Sequence, residues 1–366
     1  AHTIGIRPEH VEDATLAEAP PDRRLRGEVL LTEALGSEIV AHVAVEAKPA
    51  LTEDVRELAG PRGAPVLMLL HVVAVSLHLP PLGVALADLA MPLVLAAVIG
   101  REIVAGKNWR NLIVLAMLGV LTLGNGLFHI EAARGDYAAQ GYGLKVGLGA
   151  VIMMIAVIGG RIVPSFTRNW LVKRGPGRLP VPPMQRFDKV ALLALLAALM
   201  VWVILPDHLL TGTLLALAGA LHAVRLGRWA GHRTLAEPLV AVLHLGYAFL
   251  PLGALAMGAE ILAPGLFGTA AAQHLWMSGA AGLMTPAVMT RATLGHTGRD
   301  LTAGPGTVGL YAALVVAVLA RFADGLWTVQ ASFLHMVAGT AWILAFAGFA
   351  VIYGRLLLRL PAAKRI

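Results

Sequence analysis

The sequence predicts an all-α polytopic membrane protein of about ten transmembrane helices, preceded by a short β-rich soluble N-terminal segment. Of its 366 residues, 57% are hydrophobic and only 14% are charged, and the mean hydropathy is +0.74. Apolar runs of about 20 residues recur along the chain, and each is long enough to cross a bilayer core of roughly 30 Å. This composition excludes an ordinary soluble globular protein.

Residues 1–60 differ from the rest of the chain in charge and in pattern. They carry 6 Lys and Arg against 12 Asp and Glu, whereas the remainder is strongly basic. Two runs within them, 27–33 and 38–45, partly alternate apolar and polar residues around a Gly36-Ser37 turn, which is typical of paired strands. We therefore predict a β-rich soluble segment over 1–60 and a transmembrane helical bundle over 61–366.

Ten apolar segments are predicted as membrane spans. They cover about residues 65–79, 82–104, 109–130, 141–163, 187–205, 208–229, 236–258, 268–294, 305–323 and 328–358. The link between the fourth and fifth spans, 164–186, is rich in Pro, Gly and Arg. It divides the membrane part into blocks of four and six spans.

The charges of the loops orient these spans. Basic residues concentrate on every second loop, and the loop after the sixth span contributes Arg225, Arg228 and Arg233. Because cytoplasmic loops carry the excess of Lys and Arg, we predict that these loops and both termini are cytoplasmic. The basic character of the membrane part thus reports on topology, and no nucleic-acid partner is expected.

Histidines are the main candidate ligands, because the sequence contains no cysteine. Nine of them lie within or at the ends of the predicted spans: His71, His78, His129, His208, His222, His244, His274, His296 and His335. Ionisable residues at membrane depth are costly and normally face the bundle interior. For any single histidine, an interhelical hydrogen bond is the alternative to a ligand role.

The depths of these histidines along the spans separate them into two sets. The cytoplasmic half holds His71, His222, His244 and His296, and the outer half holds His78, His129, His208, His274 and His335. Imidazole suits haem iron and copper alike. Two sets at different depths are what a membrane haem or haem–copper protein requires.

Small residues and arginines accompany the candidate histidines. Ser278, Ala281 and Gly282 follow His274 at helical spacing, which lets a neighbouring helix or a flat macrocycle approach closely. Four arginines near the cytoplasmic boundary stand among Ser, Thr and Asn: Arg161, Arg168, Arg291 and Arg299. That setting suits bidentate binding of an anion such as a haem propionate, and a plain topological role is the alternative.

Four stretches carry a family resemblance. They are 107–112 (KNWRNL), 160–169 (GRIVPSFTRN), 244–247 (HLGY) and 288–299 (VMTRATLGHTGR). From about residue 70 to the C-terminus the chain resembles the NnrS family of bacterial inner-membrane proteins, which contain haem and copper and are linked to nitric oxide metabolism. Family members usually have further spans, including a His-containing N-terminal segment in whose place residues 1–60 stand.

The resemblance implies a polytopic bundle in the bacterial inner membrane that binds haem and copper in the nitric oxide stress response around denitrification. Both cofactors are inferred from the resemblance together with the histidine pattern, and haem–copper redox chemistry is the candidate activity. The predicted cofactor-binding residues are His129, His222, His244, His274, His335, Arg161, Arg168, Arg291 and Arg299. The predicted metal ligands are His244, His274 and His296.

A second resemblance concerns the N-terminal segment. Residues 4–10, 27–29 and 35–38 are similar to the TOBE-like β-barrel segment of sugar-importing ABC ATPases. The sequence contains no G-x-x-x-x-G-K-[ST] loop, so no ATP-phosphate cradle of that kind is expected. We interpret 1–60 as an appended or chimeric segment.

Two other functions stay open at this stage. A transporter or channel whose intramembrane histidines relay protons or bind a substrate would fit the Gly- and Pro-containing seventh and eighth spans, although no inverted repeat is apparent. An ABC importer component is a weaker alternative, because it depends on the N-terminal segment alone.

Overall fold

A computed structural model describes residues 28–35, 38–44, 80–175 and 177–358. Its two strands, β1 (Glu28–Leu35) and β2 (Glu38–Ala44), pair in antiparallel fashion. The remainder of 1–60 lies outside the described residues, so the β-rich segment as a whole stays a prediction. The first predicted span, with His71 and His78, also lies outside them.

The rest of the described chain is helical, and it contains nine long helices. They are α1 (Pro81–Ala105), α2 (Leu112–Ala133), α3 (Tyr142–Val172), α4 (Arg186–Ile204), α5 (Leu209–Gly227), α6 (Pro238–Leu262), α7 (Thr269–His296), α8 (Pro305–Leu326) and α9 (Ala331–Leu358). Eight of them coincide, within a few residues, with predicted spans from 82–104 onward. Helix α3 instead continues nine residues past the predicted end of 141–163, so the first part of the predicted link 164–186 is helical, with Pro164 inside the helix.

Eight of these nine helices are long and apolar enough to cross a bilayer. The exception is α7, which is equally long but more polar, because it contains Gln, His, Ser, Thr and Arg. Large apolar side chains such as Leu193, Leu209 and Ile343 are 65–67% exposed on the outside of the bundle. Contact with lipid explains this exposure, so the chain is a multi-pass membrane protein.

Helix α6 lies at the centre of the bundle, and 72% of the residues in its most apolar 18-residue stretch are buried. Glycines bring α5 close to it. A Cβ at Gly219 would lie 2.8 Å from Cγ of Leu255, and a Cβ at Gly258 would lie 2.8 Å from the Gly212 carbonyl oxygen. Small residues at such crossings let helix backbones approach closely. This packing holds the polar side chains of α5 and α6 against each other.

Two helices contain a turn of π-helix: Ile155–Gly159 in α3 and Leu275–Ala281 in α7. π-turns inside α-helices frequently occur at functional sites. The first ends directly before Gly160, which faces Arg225, and the second begins directly after His274. Both turns therefore border the polar sites of the bundle.

Candidate functional site

The guanidinium of Arg225, near the C-terminal end of α5, is fully buried. Its Nε donates to Oδ1 of Asp188 on α4 at 2.8 Å, and both side chains are at most 4% exposed. Its Nη1 donates to the Ala156 carbonyl at 2.8 Å and to the Tyr247 hydroxyl at 2.9 Å. The prediction that Arg225 belongs to a basic loop is wrong, because tertiary contacts hold it inside the bundle.

His222 extends this network by one step. Its Nε2 lies 3.1 Å from the Ala191 carbonyl, which can only accept, so Nε2 carries the ring proton. Its Nδ1 therefore accepts from the Tyr247 hydroxyl at 2.8 Å. Both ring nitrogens are used in hydrogen bonds, so a metal could bind His222 only by breaking one of them. This geometry favours a packing role over the predicted cofactor role.

His244 differs from His222, because only one of its ring nitrogens is hydrogen-bonded. The Thr167 hydroxyl donates to the Val163 carbonyl at 2.8 Å, so it accepts at 2.7 Å from Nε2 of His244. Nδ1 then carries a lone pair, and it is buried without a hydrogen-bond partner. An imidazole whose one N–H is fixed while the other nitrogen is bare is the usual arrangement of a metal-binding histidine.

Trp229 joins these groups into one inner cluster, which we define as Thr167, Asp188, His222, Arg225, Trp229, His244 and Tyr247. Its ring lies 4.5 Å from that of Tyr247 and 6.5 Å from that of His244. The inner cluster occupies the half of the bundle that the loop charges predict to be cytoplasmic. It brings the predicted residues His222 and His244 together.

A second site lies towards the other end of the bundle, in an open cavity of about 290 Å³ between α7, α8 and α9. We call it the outer groove, and its lining residues are His274, Ser278, Ala317, Arg321, His335, Ala338, Gly339 and Trp342. His274 and His335, both predicted from the sequence as cofactor ligands, meet there.

Each histidine of the outer groove has one ring nitrogen fixed by a hydrogen bond. Nδ1 of His274 donates to the Ala270 carbonyl at 2.6 Å. Nε2 of His335 donates to Oδ2 of Asp324 at 2.7 Å, and the same oxygen accepts from Nη1 of Arg321 at 2.7 Å. The other nitrogen of each ring has no hydrogen-bond partner among the described residues. Carboxylate–histidine pairs of this kind orient metal ligands in many proteins.

The remaining predicted site residues have separate surroundings. His129 donates from Nε2 to Asp88 at 3.0 Å, between α1 and α2. His296, at the C-terminal end of α7, and Arg161, on α3, are exposed. The guanidinium of Arg291 lies 4.3 Å from the centre of the Phe166 ring on α3.

Two further arginines occupy other places at the predicted cytoplasmic boundary. Arg168 is half-buried on α3. Arg299 lines an open cavity of about 370 Å³, together with Arg355 and Thr307. Among the described residues, no group of three or more His, Asp and Glu side chains is arranged to hold a metal ion. The predicted ligands His244 and His274 belong to different sites.

Sequence reasoning predicted only His222 and His244 of the inner cluster as site residues. It missed the other five members, namely Thr167, Asp188, Arg225, Trp229 and Tyr247. One signal was available, because His222 and Arg225 are three residues apart and so lie on one face of α5. The other signal was the acidic Asp188 at the start of an apolar span whose boundary is otherwise basic. An intramembrane acid–base pair is a functional-site hypothesis by default.

A comparison with models of protein families identifies the family of the chain. The model of the NnrS protein family matches residues 47–360, which is most of the sequence. The chain belongs to the NnrS family. The resemblance stated from the four sequence stretches is thereby confirmed, and the matched region of this NnrS chain contains both the inner cluster and the outer groove.

The N-terminal segment gave a second match. A TOBE domain model covers residues 4–62, so it overlaps the NnrS match over 47–62. This match confirms the second resemblance. No curated protein and no solved structure matched the chain.

Proposed function

We propose that this NnrS-family chain is a haem- and copper-binding protein of the bacterial inner membrane that acts in the nitric oxide stress response around denitrification. Family membership supports the class of protein. The observation that carries the cofactor proposal is the outer groove, where His274 and His335 each have one fixed and one bare ring nitrogen.

Three features of the outer groove support the haem proposal. His274 would supply an imidazole nitrogen for iron, and the hydrogen bond from its Nδ1 to the Ala270 carbonyl fixes the ring orientation. The small residues Ala317, Ala338 and Gly339 line the groove, so a flat macrocycle could approach the helix backbones closely. Arg321, whose Nη1 donates to Asp324, would offer its remaining N–H groups to a propionate.

The size of the outer groove limits how a haem would sit. Its volume of about 290 Å³ is at the lower end for ligand pockets, so a macrocycle would extend beyond it. Trp342 forms one wall, and a Cβ at Gly282 would lie 2.6 Å from Cη2 of this ring. That close contact keeps the Trp342 wall in place. When bound, haem would supply one-electron redox chemistry and an iron site for nitric oxide.

The absorption spectrum of the purified protein tests the haem proposal. The wild-type chain, purified in detergent after expression with haem supply, is expected to show a Soret band and to contain iron. His274→Ala should lose most of the band, and His335→Ala should weaken it. His208→Ala, at an exposed histidine of the same end of the bundle that is not among the predicted ligands, is the matched control. Wild-type haem content in both groove variants would overturn this assignment.

The orientation in the membrane is part of the proposal. The helix ends near Lys107, Arg174, Arg228 and Arg299 lie on the side that the charge rule places in the cytoplasm, together with both termini. Reporter fusions at residues 175 and 265 test this placement. The fusion at 175 should report a cytoplasmic location and that at 265 an outer location, and the reverse result would contradict the orientation.

A further inference from the structure

An open cavity of about 370 Å³ lies between the ends of α7, α8 and α9, and it shares no lining residue with the inner cluster or the outer groove. Arg299 lines it from the loop after α7, and Arg355 lines it from the last turn of α9. No Asp, Glu or His is among the described residues that line this cavity. Two cations therefore border one space without an acidic side chain, and we name this space the arginine cavity.

Neither arginine of the cavity is neutralised by another described side chain. Arg299 and Arg355 take part in none of the ion pairs within the described part of the chain, although Asp300 directly follows Arg299 in sequence. The buried Arg225, in contrast, is paired with Asp188. An anion from outside the chain would balance the two charges, and the guanidinium group matches phosphate oxygens through parallel N–H bonds.

The loop that carries Arg299 has a fixed backbone. The Arg299 N–H donates to the Leu294 carbonyl at 2.9 Å, and Gly298 before it has a positive φ of 66°. Further along the loop, the Ala303 N–H donates to the buried carboxylate of Glu237 at 3.2 Å. These bonds hold the wall of the cavity, so only the exposed arginine side chains have to become ordered when an anion binds.

Two buried hydroxyl groups supply a further donor. Thr307 and Tyr353 are 4% and 2% exposed, both line the cavity, and their hydroxyl oxygens lie 2.7 Å apart. Only one of their two protons can lie between these oxygens, so the other O–H has no acceptor among the described residues. A phosphate oxygen in the cavity would accept from it. The uncapped start of α8 at Gly304 adds the positive end of a helix dipole to the same wall.

The remaining walls of the cavity are apolar and continue onto the surface that faces lipid. Leu294, Ile352 and Leu356 line the cavity, and the side chain of Ile352 is exposed. Val308 on α8 and Val351 on α9 are exposed as well and extend this apolar surface along the two helices. A soluble anion gains nothing from such a surface, whereas the acyl chains of a phospholipid do.

We propose that the arginine cavity binds the phosphate group of an anionic phospholipid, with Arg299 and Arg355 on the phosphate oxygens and the acyl chains along the exposed face of α8 and α9. The cavity lies at the ends of three membrane helices, which is the depth of the headgroups in a bilayer. Basic pockets between helices at this depth recognise anionic headgroups. The volume of about 370 Å³ is within the usual range of ligand sites. The lipid site depends on neither proposed cofactor.

Native mass spectrometry of the full-length chain in detergent tests the lipid site. Anionic dioctanoyl phosphatidylglycerol and zwitterionic dioctanoyl phosphatidylcholine are titrated separately, and the bound lipid is counted per protein. We expect one saturable phosphatidylglycerol, and binding of phosphatidylcholine that is weaker by about 10-fold or more. Equally tight binding of both lipids would overturn the site. An equal concentration of inorganic phosphate should leave the bound phosphatidylglycerol in place, and its displacement would overturn the assignment to a lipid in favour of a soluble phosphate.

Four variants at exposed positions distinguish a built cavity from general attraction to a basic surface. Arg299→Gln and Arg355→Gln should each weaken phosphatidylglycerol binding about 10-fold or more, because each removes a charge-assisted bond to phosphate. Thr302→Trp keeps both arginines but fills the cavity, so it should weaken binding to a similar degree. Arg186→Gln removes an equal charge at the start of α4, at the same end of the bundle, and should bind as the wild type does. Unchanged binding in Thr302→Trp, or equal weakening in Arg186→Gln and Arg299→Gln, would overturn the site.

Discussion

Nη1 of Arg225 donates a hydrogen bond to the Tyr247 hydroxyl at 2.9 Å, in a position where neither side chain reaches the surface of the bundle. The path continues inward, because Tyr247 donates to His222 and His222 donates to the Ala191 carbonyl, whereas Nη2 of Arg225 has no hydrogen-bond partner among the described residues. The bilayer interior offers no water, so polar groups there must be satisfied within the protein. The network thereby connects α3, α4, α5 and α6.

The ion pair between Asp188 and Arg225 should contribute more to the free energy of unfolding than any other contact of this network. Asp188→Asn leaves Arg225 charged and buried without a counter-ion, and breaking one partner of a buried pair costs about 3–5 kcal/mol. The free energy of unfolding, measured by denaturant titration in mixed micelles, should fall by that order. Asp300→Asn, an exposed acid at the same end of the bundle, is the control, and equal stability of the two variants would contradict the role of the pair.

The Tyr247 hydroxyl should contribute to the free energy of unfolding separately from the Tyr247 ring. Tyr247→Phe keeps the packing against Trp229 but leaves Nδ1 of His222 without a donor and one N–H of Arg225 without an acceptor. An unsatisfied buried group costs about 1–3 kcal/mol, so we expect a loss of that size in the free energy of unfolding. Tyr137→Phe, at a side chain that is 72% exposed, should be neutral. A neutral Tyr247→Phe would show that the hydroxyl is dispensable.

The sequence predicted the helices well because apolar runs and loop charges are local signals. Helix α7 illustrates this. It is less apolar than the other eight long helices, yet its bounds agree with the predicted span 268–294. The first span and most of the N-terminal segment stay predictions.

The sequence did not show which polar residues turn inward, because that choice depends on distant partners. Arg225 is buried because Asp188, 37 positions earlier, faces it. Nδ1 of His244 has no hydrogen-bond partner among the described residues, because Thr167, 77 positions earlier, accepts the hydrogen bond from Nε2 and so fixes the ring proton there. Residue type and depth gave nine candidate histidines, of which six were predicted as ligands. Hydrogen bonding separates them, since His222 uses both nitrogens whereas His244 and His274 use one.

Gly160 should prove sensitive to a single methyl group. A Cβ at this position would lie 2.1 Å from Nη2 of Arg225, so Gly160→Ala must displace the guanidinium or α3. Overpacking of this kind costs about 1–3 kcal/mol. Gly126→Ala on α2 is the matched control, because no atom lies within 4 Å of its added Cβ, and it should be neutral or stabilising. Unfolding titrations of both variants test this difference, and equal effects would refute the close contact.

Asp324 should affect cofactor retention more than stability. Its carboxylate orients His335 in the outer groove, and loss of such an orienting partner typically lowers metal affinity about 10–100-fold. The ion pair of Asp324 with Arg321 is partly exposed, and exposed pairs contribute little to folding. Asp324→Asn should therefore reduce the haem bound per protein, measured as the pyridine haemochromogen, while the unfolding free energy stays near the wild-type value. Asp207→Asn, an exposed acid at the same end of the bundle, should change neither quantity. If Asp324→Asn retains haem as fully as Asp207→Asn does, His335 is not a ligand, and the groove would depend on His274 alone.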